Sequence, residues 1–184
     1  MAEAGGSEQE VGSPGGGVVK AVALVDGAAG AISEARLPVP STGWKIASVS
    51  SEHSPEYAGA KAIDGDPATY WHTDWSASPP HPHTLVIDFG RALKVTGFTY
   101  LPRQDKAVPD SMVESGEVSL SADGATWGPS RPFHFGNLVN DPALRTVLFE
   151  GAAVEARYFR FVSKTGAAGK PYAGAAEIGI FAAP

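Results

Sequence analysis

From Trp44 to the C-terminus the chain is written in short runs rich in β-branched and aromatic residues. Each run is cut off by Gly, Pro or an Asp-Gly pair, and that punctuation limits the fold more than any other feature. WKIASVSSE (44–52), TLVIDFG (84–90), KVTGFTYL (94–101), EVSLS (117–121), RTVLFE (145–150), ARYFRFVS (156–163) and EIGIFA (177–182) read as strands. In the second of these, Leu85, Ile87 and Phe89 alternate onto one face. Asp123-Gly124 after EVSLS is a hairpin-turn pair. No 3.6-residue period lasts beyond a turn or two, and only AGAKAI (58–63) hints at a single helical turn. Many short strands with regular turn signals predict an all-β domain over residues 44–184, a β-sandwich of the jelly-roll kind. VVKAVALV (18–25) and AAGAISEARLPVP (28–40) supply two further strands, so residues 18–43 read as a β-hairpin extension or the remnant of a preceding domain. The Gly/Ser/Glu-rich residues 1–17 cannot bury enough apolar surface to offset their ordering entropy and read as a flexible tail or linker.

With 184 residues, 43% hydrophobic and 9% aromatic, the chain can build the core of one domain. Its net charge is −6, and three glutamates in the first 17 residues carry half of it, so the rest is close to neutral. Such a balance argues against nucleic acid and against an anionic membrane surface as partners. The absence of cysteine excludes thiolate zinc sites, disulfides and a cysteine nucleophile. No apolar run reaches the length of a membrane span. The first residues, MAEAGGSEQEV, lack the basic and apolar regions of a signal peptide. The expected compartment is cytoplasmic if Met1 is the native start and extracellular if the chain is a module of a longer secreted enzyme.

AIDGDPATYWHTDW (62–75) is too polar for a buried strand and too aromatic for an idle loop. Asp64, Asp66 and Thr69 are hard oxygen donors close together, and Gly65 permits a sharp turn that could also offer the Lys61 carbonyl. Calcium takes about six to eight oxygens of this kind. The EF-hand register is missing, so a closing carboxylate would have to come from afar, and Glu177 heads the last strand. The alternative is a plain turn whose aspartates accept backbone N–H groups. His81 and His83 share one strand face, as zinc ligands can, but have no evident third ligand, and Pro79, Pro80 and Pro82 suggest a rigid lead-in instead. There is no G-x-S-x-G elbow, P-loop or H-E-x-x-H. Asp64 and Asp66, in one tight turn, are unsuited to glycoside hydrolysis, which needs carboxylates roughly 5–9 Å apart across a cleft. The chain is therefore not expected to be an enzyme.

AIDGDPATYWHT (62–73), PHTLVIDFG (82–90), YLPRQ (100–104), SADGATWG (121–128), ARYFRFV (156–162) and AAEI (175–178) together resemble the discoidin superfamily, the coagulation factor V/VIII type C domain. The likeness is nearest to family 32 carbohydrate-binding modules of bacterial glycoside hydrolases and runs from about Trp44 to Phe181. It implies a galactose-binding-domain-like jelly roll with a structural calcium held by the carbonyls of Lys61 and Ala176 and the side chains of Asp64, Asp66, Thr69 and Glu177. It also implies a sugar site. His72, Trp75, Arg103 and Tyr172 match the galactose-binding positions of that family, while Asp110 stands nearest to an expected asparagine and can accept but not donate a hydrogen bond. In this reading Trp75 and Tyr172 stack on a pyranose, and His72, Arg103 and Asp110 read hydroxyls. Trp71 is expected in the core. The partner would be a glycan ending in a galactose-like hexose, with a glycoside hydrolase domain attached. The rival reading is a protein–protein interaction subunit of an intracellular assembly that uses the same sandwich without sugar.

Overall fold

The computed structural model describes residues 16–25, 28–105 and 110–183. The tail read over residues 1–17 lies almost wholly outside them, and its last residue, Gly17, instead opens the first strand. The strands are β1 (Gly17–Val25), β2 (Ala28–Leu37), β3 (Lys45–Val49), β4 (Trp71–His72), β5 (His83–Leu101), β6 (Val113–Ser121), β7 (Arg131–His134), β8 (Arg145–Leu148), β9 (Val154–Gly166), β10 (Gly174–Ala175) and β11 (Glu177–Ala183). Single 3-10 turns lie at Pro55–Tyr57, Gly59–Ala62 and Ala167–Gly169, the second of them where AGAKAI suggested a helical turn. All strand pairing is antiparallel.

The two strands expected at 84–90 and 94–101 are one, β5. The Gly90 amide, at φ +73°, donates to Asp88 Oδ1 (2.7 Å), and pairing with β9 jumps from Asp88–Tyr158 to Leu93–Ala156. The chain thus bends without leaving the ladder, as bulged strands do. Before the bend β5 lies between β3 and β9; beyond it, β5 runs between β11 and β8. One strand therefore serves both layers. Between the layers, the ring of Phe98 from the far half of β5 meets Phe159 at 5.4 Å, Phe133 at 5.6 Å and Phe161 at 6.3 Å. This is the sandwich predicted from the strand pattern, with its core made by inward-facing aromatics. Asp123-Gly124 does turn, with Asp123 Oδ1 accepting from Ala125 and Thr126 (2.8 and 2.7 Å). It opens the longer loop between β6 and β7 rather than a two-residue hairpin.

At the end of the sandwich that carries the loops, Tyr100 is the anchor. Its buried hydroxyl donates to Gly174 O (2.8 Å) and accepts from Val113 N (3.0 Å). Burial raises its pKa far above the usual phenol range, so it remains a neutral donor and acceptor. One side chain thereby ties the end of β5, the start of β6 and β10. A Cβ on Gly174 would press on the Trp71 carbonyl and lie 2.8 Å from Ser111 Oγ, so only glycine lets β10 lie this close to β4. β1 and β2 form a hairpin followed by buried Val39, which bridges to Ile180 of β11.

Candidate functional site

Five residues far apart in sequence meet at the loop end. His72 comes from β4, Trp75 from the loop after it, Arg103 from just beyond β5, Asp110 from just before β6, and Tyr172 from just before β10. They line one open cavity of about 420 Å³ with Tyr57, Tyr70 and Asp105. Its residues are held by their own contacts. His72 is 1% exposed; its Nδ1–H donates to Thr73 O at 2.6 Å, and Nε2 lies 3.3 Å from Asp110 Oδ1. Arg103 is 6% exposed, so its ion pairs are not those of an ordinary surface residue. Nη1 donates to Asp110 Oδ1 and Nη2 to Asp105 Oδ2, both at 2.7 Å, while the guanidinium carbon lies 4.4 Å over the Tyr70 ring. This pins a planar donor in one orientation.

Trp75 is 38% exposed, the most open tryptophan face available. Its ring stacks on His53 at 3.3 Å and meets the Tyr57 edge at 5.0 Å. His53 is itself fixed by Asp74, Nδ1 to Oδ1 3.0 Å. Tyr172 is half-buried with its ring 5.5 Å from His72. Trp71, read as core, is completely buried and donates its indole N–H to Ser51 O (3.0 Å). The cavity thus offers an aromatic surface beside carboxylates and a fixed guanidinium, which is chemistry suited to a polyol with an apolar C–H face. Sequence reasoning missed Tyr57, Tyr70, Asp105 and His53. Tyr70 and Asp105 adjoin residues already singled out, but Tyr57 and His53 carried no signal, since only the fold brings Pro55–Tyr57 under Trp75.

The second constellation is the Asp64 turn. Gly65 sits at φ +80°, the sharp turn expected of it. Asp64 Oδ1 accepts from Asp66 N (3.0 Å), and Oδ2 accepts from Thr69 Oγ1 (2.7 Å) and Lys61 Nζ (3.3 Å). Partial burial pushes the Asp64 carboxyl up, but these bonds outweigh it and hold it below the usual range. Asp66 Oδ1 accepts from Ala68 N (2.9 Å). Those two backbone bonds are what the plain-turn alternative describes. Glu177 is what it leaves unexplained. Burial first, and the charge of Asp64 beside it second, push Glu177 up to about 7, against the bonds it accepts from the Gly65 and Asp66 amides. Its Oε1 is buried with no hydrogen-bond partner. Two acidic groups pressed together around an unpartnered oxygen fit a hard cation, for which the remaining donors would be neutral oxygens. Among the described residues no group of three or more His, Cys, Asp or Glu side chains is arranged to hold a metal ion. His81 and His83 are spent on main-chain carbonyls: His81 at Ser163 (3.3 Å) and Lys170 (3.2 Å), His83 at Pro171 (2.7 Å).

Sandwich, bent central strand and loop-end cavity together define a discoidin-like β-sandwich module. The model of the F5/8 type C domain matches residues 46–178, and the chain belongs to that family. It is similar to a galactose oxidase of Gibberella zeae, 40% identical over 125 residues, which are 67% of this chain and 18% of that protein. It is also similar to a sialidase of Micromonospora viridifaciens, 34% identical over 139 residues, or 73% of this chain and 21% of that protein. The chain therefore spans about a fifth of the length of the curated relatives it matches. Among solved structures, a family 32 carbohydrate-binding module from Clostridium perfringens in complex with GalNAc-β-1,3-galactose superposes with a TM-score of 0.68 at 26% identity. The match covers 79% of this chain and 99% of that one. The resemblance carried by six sequence segments is thus borne out in family and in fold. Among the described residues no helix is long and apolar enough to cross a membrane.

Proposed function

We propose that this chain is a non-catalytic carbohydrate-binding module that docks a terminal, galactose-like hexose in the cavity between Trp75 and Arg103. The observation that carries this reading is the meeting of His72, Trp75, Arg103, Asp110 and Tyr172 around one open cavity. Trp75 and Tyr172 take the C–H face of the sugar, and the carboxylates of Asp105 and Asp110 accept from hydroxyls that Arg103 and His72 flank. The family 32 module solved with GalNAc-β-1,3-galactose supports the choice of sugar class. Binding is weak, because one hexose offers few atoms to an open site, and retention on a glycan comes from multivalency or from an attached glycoside hydrolase domain. Calorimetric titration with galactose and N-acetylgalactosamine tests the proposal. Saturable heat with a Kd of about 0.1–1 mM is expected; a flat titration at tens of millimolar would refute it.

Calcium belongs to the same proposal in a supporting role. Asp64, Asp66, Thr69 and Glu177, with the carbonyls of Lys61 and Ala176, would hold the ion. Its charge would relieve the Asp64–Glu177 repulsion and join the first loop to β11. The orphaned Glu177 Oε1 is the observation that favours it.

A further inference from the structure

The cavity does not stop at Arg103. Arg103 and Asp105 also wall a second depression of about 350 Å³, whose far side is Met112, Val139, Asn140 and Pro142. Val139 and Asn140 in turn wall a third, of about 530 Å³, edged by Glu114, His134 and Asn137. Three depressions that share walls two residues at a time make one groove, with Trp75 at one end and His134 at the other.

The middle of that groove is organised. Gln104 Nε2 donates to Pro102 O (2.7 Å) and Pro142 O (3.0 Å), clamping the segment after β5 to the loop before β8. Asn137 Oδ1 accepts from Asn140 N (3.4 Å) and shapes the turn that presents Asn140. Met112, Val139 and Pro142 give an apolar floor, while Gln104 and Asn140 give planar amides at its edge. An apolar floor takes the C–H face of a pyranose, and an amide can both donate to and accept from hydroxyls. In the third depression His134 Nε2 and Glu114 Oε1 stand 3.7 Å apart and are both open to solvent. Among the described residues the groove carries no excess of positive charge for a nucleic acid and too little apolar surface for a lipid tail.

We propose that the groove binds an oligosaccharide, with the terminal sugar in the Trp75 cavity and the following residues over the second and third depressions. Asn140, at the seam between those two, then selects for chain length. The inference rests on the sugar-binding reading of the first cavity. Of the second and third walls a single hexose touches only the shared Arg103 and Asp105 and never Met112, Val139, Asn140 or Pro142, so the extra residues add contacts without changing the terminal one.

The test is calorimetric titration of the protein and of Asn140→Ala with galactose and with galactose-terminated di-, tri- and tetrasaccharides, alongside thermal melts. Asn140 is exposed and its substitution should leave the melt unchanged. The expected result is at least about fivefold tighter binding of the trisaccharide than of galactose. Asn140→Ala should lose that gain while binding galactose as before. If galactose binds and the longer glycans bind no tighter, or if Asn140→Ala keeps the whole gain, the groove is not a glycan track and only the terminal site stands. If neither galactose nor any longer glycan binds, the reading of the first cavity falls and takes this inference with it.

Discussion

Asp110 shows how one side chain can hold a site in place and stay part of its surface. Its Oδ1 accepts from Arg103 Nη1 (2.7 Å) and lies 3.3 Å from His72 Nε2, so one carboxylate oxygen stands against two buried groups at the cavity wall. An asparagine could accept the Arg103 bond through its amide oxygen, which predicts that Asp110→Asn binds sugar within about threefold of the parent. Among the described residues Asp110→Ala leaves the buried guanidinium with Asp105 as its one carboxylate partner and should cost about 1–3 kcal/mol of stability, with at least about a tenfold loss of sugar affinity. Melts and titrations of the two variants check this; parent-like behaviour of both would show that Asp110 is idle, and an equal loss in both would show that the carboxylate charge is required. At this scale the sequence was legible where residue type and motif agreed, as for His72, Trp75 and Arg103. It was silent on the double role of Asp110 and on His53, whose place behind Trp75 comes from a loop with no signature of its own.

Among the elements, β5 and β11 decide where the site residues stand. The sequence reading put a short turn between strands at 84–90 and 94–101; the Asp88–Gly90 bond carries the chain around the bend within one strand instead. The short strands β4 and β10 were illegible, since two residues each carry no period, and they exist because Gly174 admits close approach to Trp71. β11 begins at Glu177, and the Asp64 turn abuts it through the Gly65 and Asp66 amides. A cation there would join an early loop to the last strand and stabilise only the folded state. Chelation by EDTA should therefore lower Tm by about 5 °C or more, with recovery on added calcium, whereas Glu177→Gln should melt the same with and without chelator. A parent melt indifferent to EDTA would leave Asp64 and Asp66 as turn residues only.

For the whole molecule, the sandwich is secured by its core and trimmed by surface pairs. Asp88 on β5 accepts from Arg157 Nε and Nη2 on β9 at 2.7 and 2.8 Å, a bidentate pair. Those bonds hold the Asp88 carboxyl below its ordinary value despite some burial. A carboxyl with a depressed folded pKa contributes stability above its unfolded pKa of about 4 and loses it as pH falls through the folded value. Asp88→Asn should lower Tm by about 1–3 °C at pH 7 and make little difference near pH 2, because the pair is partly open to water. A deficit that persists at pH 2 would assign the effect to packing instead. The hairpin β1–β2 is the least integrated part: Leu24 and Ile32 are each 69% exposed on it, and its strands were nevertheless readable from their β-branched residues. The all-β class followed from punctuation alone, while the closing of two layers around Phe98 depended on pairings between distant strands that no local pattern encodes.

The proposed docking of sugar turns on the exposed indole of Trp75. The chain has four tryptophans, of which Trp71 is wholly buried and Trp44 nearly so, while Trp127 lies under Arg160 away from the loops that build the cavity. Indole N–H resonances of the 15N-labelled protein, followed as galactose is added to about 10 mM, separate these positions. With sugar docking in its cavity, the Trp75 indole shifts progressively and saturates while those of Trp44, Trp71 and Trp127 hold still. A spectrum in which no indole moves, or in which Trp127 moves and Trp75 does not, would contradict it.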